Sequence, residues 1–149
     1  MLKQITIYSD GSSLGNPGPG GWGTILEFNG HTKELSGAEE NTTNNRMELK
    51  GAIEGIKALK EPCDIKLISD SKYVVQAINE WLSNWVKNNW KTAAKKPVKN
   101  AELWKEYLEV SKQHKIKAIW VKGHAGHEQN ERCDILARTQ AENLQSQGY

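Results

Sequence analysis

Cysteine is scarce in this chain of 149 residues: Cys63 and Cys133 stand far apart, and neither has a C-x-x-C partner. That points away from a disulfide framework and toward a reduced, cytoplasmic setting. No apolar run approaches the roughly 18 residues of a membrane span, so no membrane partner is expected. The N-terminus carries one lysine but no apolar core or small-residue cleavage site, so no secretory signal is expected. Internal repeats, low-complexity tracts and Pro/Ser linkers are missing as well. With 37% hydrophobic and 26% charged residues, residues 1–149 read as one globular domain with no boundary inside it.

Acidic residues are missing from one whole stretch. From Trp81 to Asn100 the chain reads WLSNWVKNNWKTAAKKPVKN, with five lysines, three of the six tryptophans and no acid. A basic stretch interleaved with aromatic rings is the footprint of a nucleic-acid contact; a solvated lysine face over buried tryptophans is the plainer alternative.

Residues 8–23, YSDGSSLGNPGPGGWG, hold one acid among six glycines and two prolines. Residues Leu2–Tyr8 alternate and read as a strand. Asp10 is therefore expected where a strand ends and a long glycine loop begins, either as a turn former or as a functional carboxylate. No lysine follows the glycines, so a Walker-type phosphate loop is excluded.

Along the chain, Trp22–Phe28 and Thr32–Ser36 flank Asn29-Gly30, a tight-hairpin dipeptide. A helix is predicted over Asn44–Leu59, with Leu49, Ala52, Ile53, Ile56 and Leu59 as its apolar stripe. Ile65–Ser69 reads as a strand. Ser71–Ala77 and Glu80–Val86 read as helices broken near Asn79, and Asn100–His114 as a further helix. Ile116–Val121, apolar on both faces, suits a central strand covered by helices on each side, and Glu128–Leu144 reads as a last helix. This order implies an α/β fold: a meander followed by parallel strands, with helices on both faces.

Four acids stand at corresponding places. Asp70 repeats the Asp10 pattern in KLISDSKY, though Asp is also a good N-cap. Glu48 and Asp134 border the apolar stripes of their helices, where an acid is also favoured by the helix dipole. Taken together, carboxylates converging at one sheet edge repel each other unless a cation joins them. An all-oxygen set selects Mg2+ or Mn2+, and carboxylates sharing two such ions make a phosphoryl-transfer site. His124, in the glycine-flexed VKGHAGHEQNERCD, is a candidate proton shuttle. The rival is zinc held by His124, His127 and Cys133, a spacing that matches no common finger.

YSDGSSLGNPGPGGWG, TTNNRMEL, SDSKYV and WVKGHAGHEQNERCDILA together resemble the bacterial type 1 ribonuclease H family, in order and over essentially the whole chain. The resemblance implies a three-layer ribonuclease H-like fold with a five-stranded mixed sheet. It also implies an endonuclease that hydrolyses the RNA strand of RNA–DNA hybrids with two Mg2+ ions, for which Mn2+ can substitute. Asp10, Glu48, Asp70 and Asp134 take the metal positions, and His124 that of the loop histidine. Gly11, Ser13, Asn16, Asn44 and Asn45 take positions that read RNA 2′-hydroxyls, a group that distinguishes RNA from DNA. By the same resemblance, Lys72 is expected near the scissile strand, Thr43 and Asn100 at a DNA-phosphate pocket, Trp81 and Trp85 against DNA sugars, and Lys87, Lys91, Lys95, Lys96 and Lys99 facing phosphates. Departures from the family pattern are Asn41 for arginine, Ser13 for cysteine, Lys72 for glutamine, and Val86 within the lysine run. They bear on affinity and salt dependence rather than on chemistry. The chain ends soon after its last helix, so no added substrate domain is expected, and the enzyme is expected to be a monomer. Two rivals are a hybrid-binding module without catalysis and a metal nuclease acting on DNA junctions.

Overall fold

The computed structural model describes residues 2–123 and 128–147. Strands β1 (Lys3–Ser13), β2 (Gly18–Phe28) and β3 (His31–Thr42) form an antiparallel meander. β4 (Cys63–Ser69) joins β1 in parallel, and β5 (Lys115–Trp120) joins β4 in parallel. The sheet order is β3-β2-β1-β4-β5. Asn29 and Gly30 both adopt positive φ at the β2–β3 turn, as a two-residue hairpin of the expected type requires.

Helix α1 (Asn44–Lys57) begins at Thr43, whose hydroxyl accepts the Arg46 amide. Its stripe of Leu49, Ala52, Ile53 and Ile56 is fully buried. It packs with Ile7, Ile65 and Leu67 of the sheet and with Val74 and Trp104 in one core. Each such aliphatic side chain stabilises the fold by about 1.5–3 kcal/mol through burial. The expected break near Asn79 is a π-helical turn, Ala77–Trp81, joining α2 (Lys72–Gln76) to α3 (Leu82–Lys87). Helix α4 (Ala101–Ser111) follows, and α5 (Glu128–Ser146) packs against β1, β2 and β3.

Three expectations are corrected. β1 does not end before Asp10: it pairs with β2 as far as Ser13, and Asp10 lies opposite Gly23. Its parallel pairing with β4 stops at Ser9 opposite Ser69, so Asp10 and Asp70 leave that ladder side by side. Much of the glycine run is likewise strand β2, not loop. A Cβ on Gly21 would lie 2.3 Å from the Ala137 carbonyl oxygen, and one on Gly23 2.5 Å from that of Cys133. The glycines therefore admit the backbone of α5 to one face of the sheet. On the other face, a Cβ on Gly20 would meet Thr42 at 2.4 Å and Met47 at 3.0 Å.

β5 is an edge strand, not a central one, and Ala118 is its one buried residue. Its apolar outer positions are half-exposed or exposed, Trp120 among them. Asn79 in the π turn donates to the Ala118 carbonyl at 3.3 Å, tying β5 to the helical layer.

Candidate active site

Asp10 from β1, Glu48 from α1 and Asp70 from the end of β4 each offer a carboxylate oxygen, and these oxygens lie within 4.8 Å of one another. Local sequence explains the approach. A Cβ on Gly11 would sit 2.3 Å from the Glu48 amide nitrogen, so only glycine lets the start of α1 close onto β1 here. The Gly11 amide then donates to both Asp10 Oδ1 (2.9 Å) and Glu48 Oε1 (3.1 Å). Ser71, not Asp70, caps α2, accepting the Val74 amide through its hydroxyl at 3.1 Å.

The cluster is electrostatically strained. Asp10 is 6% exposed. Burial first, then the charges of Asp70 and Asp134, push its carboxyl up to about 6, against hydrogen bonds from Glu48 and Gly11 that pull it down. Burial and then the Asp10 charge raise Glu48 well above the ordinary carboxylate range. Glu48 Oε2 is buried with no hydrogen-bond partner. Such an orphaned acceptor among crowded carboxylates is a coordination position for a hard cation, so the residues fit a divalent metal.

Asp134 on α5 lines the same cleft, of about 440 Å3, with Asp10, Glu48, Asp70, Asn44 and Asn45. It stands apart from the triad and accepts Arg138 Nε at 2.9 Å, one helical turn along. His124 lies outside the described residues. So does His127 of the zinc alternative; its third member, Cys133, is buried and donates to the Tyr8 carbonyl at 3.4 Å. Burial pushes that thiol far up, which makes it a poor zinc ligand.

The proposed RNA-facing residues are knitted together. Asn44 Oδ1 accepts the Ser13 amide at 2.7 Å, and Asn16 Oδ1 accepts the Asn44 amide at 3.1 Å. The Ser13 hydroxyl donates to the Gly15 carbonyl. Beside them, Asn16, Thr43, Asn44, Asn45, Lys99 and Asn100 line a second cleft of about 490 Å3. Asn100, at φ 61°, precedes α4 and is held at both ends of its amide. Its nitrogen donates to the Tyr73 hydroxyl at 3.2 Å, and its oxygen accepts Arg46 Nη1 at 3.4 Å.

Trp81 is exposed and Trp85 half-buried, with ring centroids 6.0 Å apart; Trp85 continues onto the buried Trp104 at 5.9 Å. Trp81 thus stands at the surface, while Trp85 packs against the core. Lys87, Lys91, Lys95, Lys96 and Lys99 are all exposed. The segment presenting them is ordered by a Lys91–Pro97 bridge, by Thr92 and Val98 amides donating to the Lys96 and Trp90 carbonyls, and by buried Val98. Lys72 lies over the Trp120 ring, 5.0 Å from its centroid. Arg46, Tyr73 and Trp120 were missed in the sequence. Arg46 stood inside TTNNRMEL, but its partners Asn100 and Glu102 are more than fifty residues away.

Among the described residues no helix is long and apolar enough to cross a membrane. The sequence model of the RNase H family matches residues 2–142. A ribonuclease H of Sulfurovum sp. (strain NBC37-1) is 60% identical over 144 residues, spanning 97% of this chain and 95% of its own. The crystal structure of LC9-RNase H1, a type 1 RNase H with the type 2 active-site motif, superposes with a TM-score of 0.86 at 32% identity, over 97% of this chain and 74% of its own. LC11-RNase H1, crystallised with an RNA/DNA hybrid, shares the fold with a TM-score of 0.68 at 22% identity, over 95% of this chain and 99% of its own.

Proposed function

This chain belongs to the RNase H family, and we propose that it is a Mg2+-dependent endonuclease hydrolysing the RNA strand of RNA–DNA hybrids. The buried carboxylate triad with its unpartnered Glu48 oxygen carries the reading. Asp10, Glu48 and Asp70 would hold the metal, and Asp134, paired with Arg138 in this structure, would complete the set. When bound, two divalent ions supply the positive charge that lets water add to the scissile phosphorus as the 3′ oxygen departs, leaving 5′-phosphate and 3′-hydroxyl ends.

The chain's own residues do the rest. The Gly11 amide holds two carboxylates in register. Ser13, Asn16, Asn44 and Asn45 offer short donors and acceptors to 2′-hydroxyls, and Lys72 offers charge beside them. Thr43 and Asn100 line the cleft assigned to a DNA phosphate. Trp81, Trp85 and the five lysines take the DNA strand, and His124 relays a proton. Every contact is to sugar or phosphate, so cleavage is largely independent of base sequence. We place the protein in the cytoplasm, a reading supported by its two free, buried cysteines, and propose that it acts as a monomer.

The deciding experiment presents one labelled RNA strand alone, in duplex RNA, and paired with DNA, each with Mg2+ and with EDTA. Cleavage of the hybrid alone, and only with Mg2+, is expected. A hybrid that binds yet stays intact under every divalent ion would favour a binding module instead.

Replacing Lys87, Lys95 and Lys96 with alanine is expected to raise KM far more than it lowers kcat. The dependence of log KM on log salt should flatten by about 2 to 3, close to one per lost phosphate contact. An unchanged slope would remove these lysines from the interface.

A further inference from the structure

The exit from β5 wraps around Asp70. The indole Nε1 of Trp120 donates to the Asp70 carbonyl at 3.0 Å. The Val121 amide donates to the Ser69 carbonyl at 3.0 Å, extending the β4–β5 pairing by one step. From the next turn, a Cβ on Gly123 would lie 2.8 Å from Asp70 Oδ2, so the backbone there approaches the carboxylate itself. Asp70 follows the last residue of β4 and precedes the Ser71 cap of α2, at a junction of two elements rather than inside either. Its neighbour in the cluster, Asp10, lies within a strand paired through Ser13. Trp120 is exposed, at 42%, which is not the place of a core residue.

We infer that Trp120 is a positioning residue: its indole N–H, with the close backbone of Gly123, sets the orientation of the Asp70 carboxylate toward the divalent ion. The inference rests on the metal-dependent reading of the cluster proposed above. The ring has a second role, as the surface beneath the Lys72 ammonium, so the two roles are separable by substitution. Trp120→Phe keeps an aromatic face for Lys72 and deletes the N–H. Gly123→Ala leaves the indole intact and crowds the carboxylate from the other side.

The test measures how far Mn2+ or Mg2+ alone raises the melting temperature, as a function of ion concentration, for wild type, Trp120→Phe, Gly123→Ala and Asp70→Asn. Ions that bind the folded state stabilise it by mass action, so the concentration giving half the effect reports affinity without any substrate. Both variants are expected to melt near the wild type without metal and to need about tenfold more ion. On hybrid, kcat should fall about tenfold at saturating ion with KM little changed, because misplacing a reacting group lowers the rate more than it weakens substrate binding. A Trp120→Phe protein that melts lower without metal but keeps wild-type ion affinity and kcat would reduce the indole to a structural contact and overturn the inference. If Trp120→Phe does not fold, unchanged ion affinity in Gly123→Ala overturns it equally. Wild type that binds the ion but leaves the hybrid intact would sink the nuclease reading, and the affinity comparison would still decide the role of Trp120.

Discussion

Asp10→Asn is expected to lower hybrid cleavage on the order of 10³-fold or more, and at the same time to make the metal-free protein more stable. The two effects share one cause. The carboxylate sits 6% exposed against Glu48 and Asp70. Its pKa is pushed up to about 6 from an ordinary 3.8, chiefly by burial. A carboxyl raised in the folded state favours folding while protonated, and that advantage is lost as pH climbs through the folded value. The metal-free wild type should therefore lose stability as pH rises from about 4 to about 6.

Asparagine keeps an oxygen for the Gly11 amide and presents an N–H to Glu48 while removing the charge. At pH 7 in EDTA its melting temperature should exceed that of the wild type by roughly 5–10 °C, and its stability should vary less between pH 4 and pH 7. Saturating Mg2+ should narrow the difference, because the ions stabilise the wild type more. Thermal melts in EDTA across pH decide the matter: a variant no more stable than wild type at pH 7 would mean that the cluster carries no strain.

Gly21→Ala carries the second large effect, on stability. The added Cβ would meet the Ala137 carbonyl at 2.3 Å, Gln140 Cβ at 2.7 Å and the Ala141 amide nitrogen at 2.9 Å. Two of these three are backbone atoms of α5, which cannot rotate aside, so helix and strand must separate. Overpacking of this kind costs about 3 kcal/mol, the upper part of its usual range. Since α5 also carries Asp134, cleavage should fall by more than the loss of folded protein accounts for. Gly30→Ala is the matched control: Gly30 has φ 81° but nothing within 4 Å of an added Cβ. It should cost about 1 kcal/mol through backbone strain alone. Urea unfolding of both variants, with unchanged m-values, would measure the difference; equal costs would mean that α5 yields to the intruding methyl.

The same residues show how far local sequence reaches. Asn29-Gly30 was legible because a two-residue hairpin demands positive φ at both positions, and that demand is local. The stripe of α1 was legible because a period of 3.6 marks the buried face wherever the helix packs. The glycines of residues 18–23 misled, since strings of glycine and proline carry the chemistry of turns. For Gly21 and Gly23 the reason for being glycine lies more than a hundred residues away, in the backbone of α5. β5 misled in the opposite direction: apolar residues on both faces fit a central strand, yet the sheet ends there and Trp120 turns outward beside Asp70.

What the sequence by itself determined is the set of elements, their order and the identity of the acids, because propensity, periodicity and the Ser-Asp endings are properties of neighbouring residues. Only the tertiary structure decided that Asp10, Glu48 and Asp70 meet within 4.8 Å while Asp134 turns to Arg138. It alone showed a Glu48 oxygen without a partner and Trp120 on the carbonyl of Asp70. The physical reason is that desolvation and Coulomb repulsion depend on distance and burial, which the chain acquires only when Gly11, Gly21 and Gly23 let two helices close on the sheet.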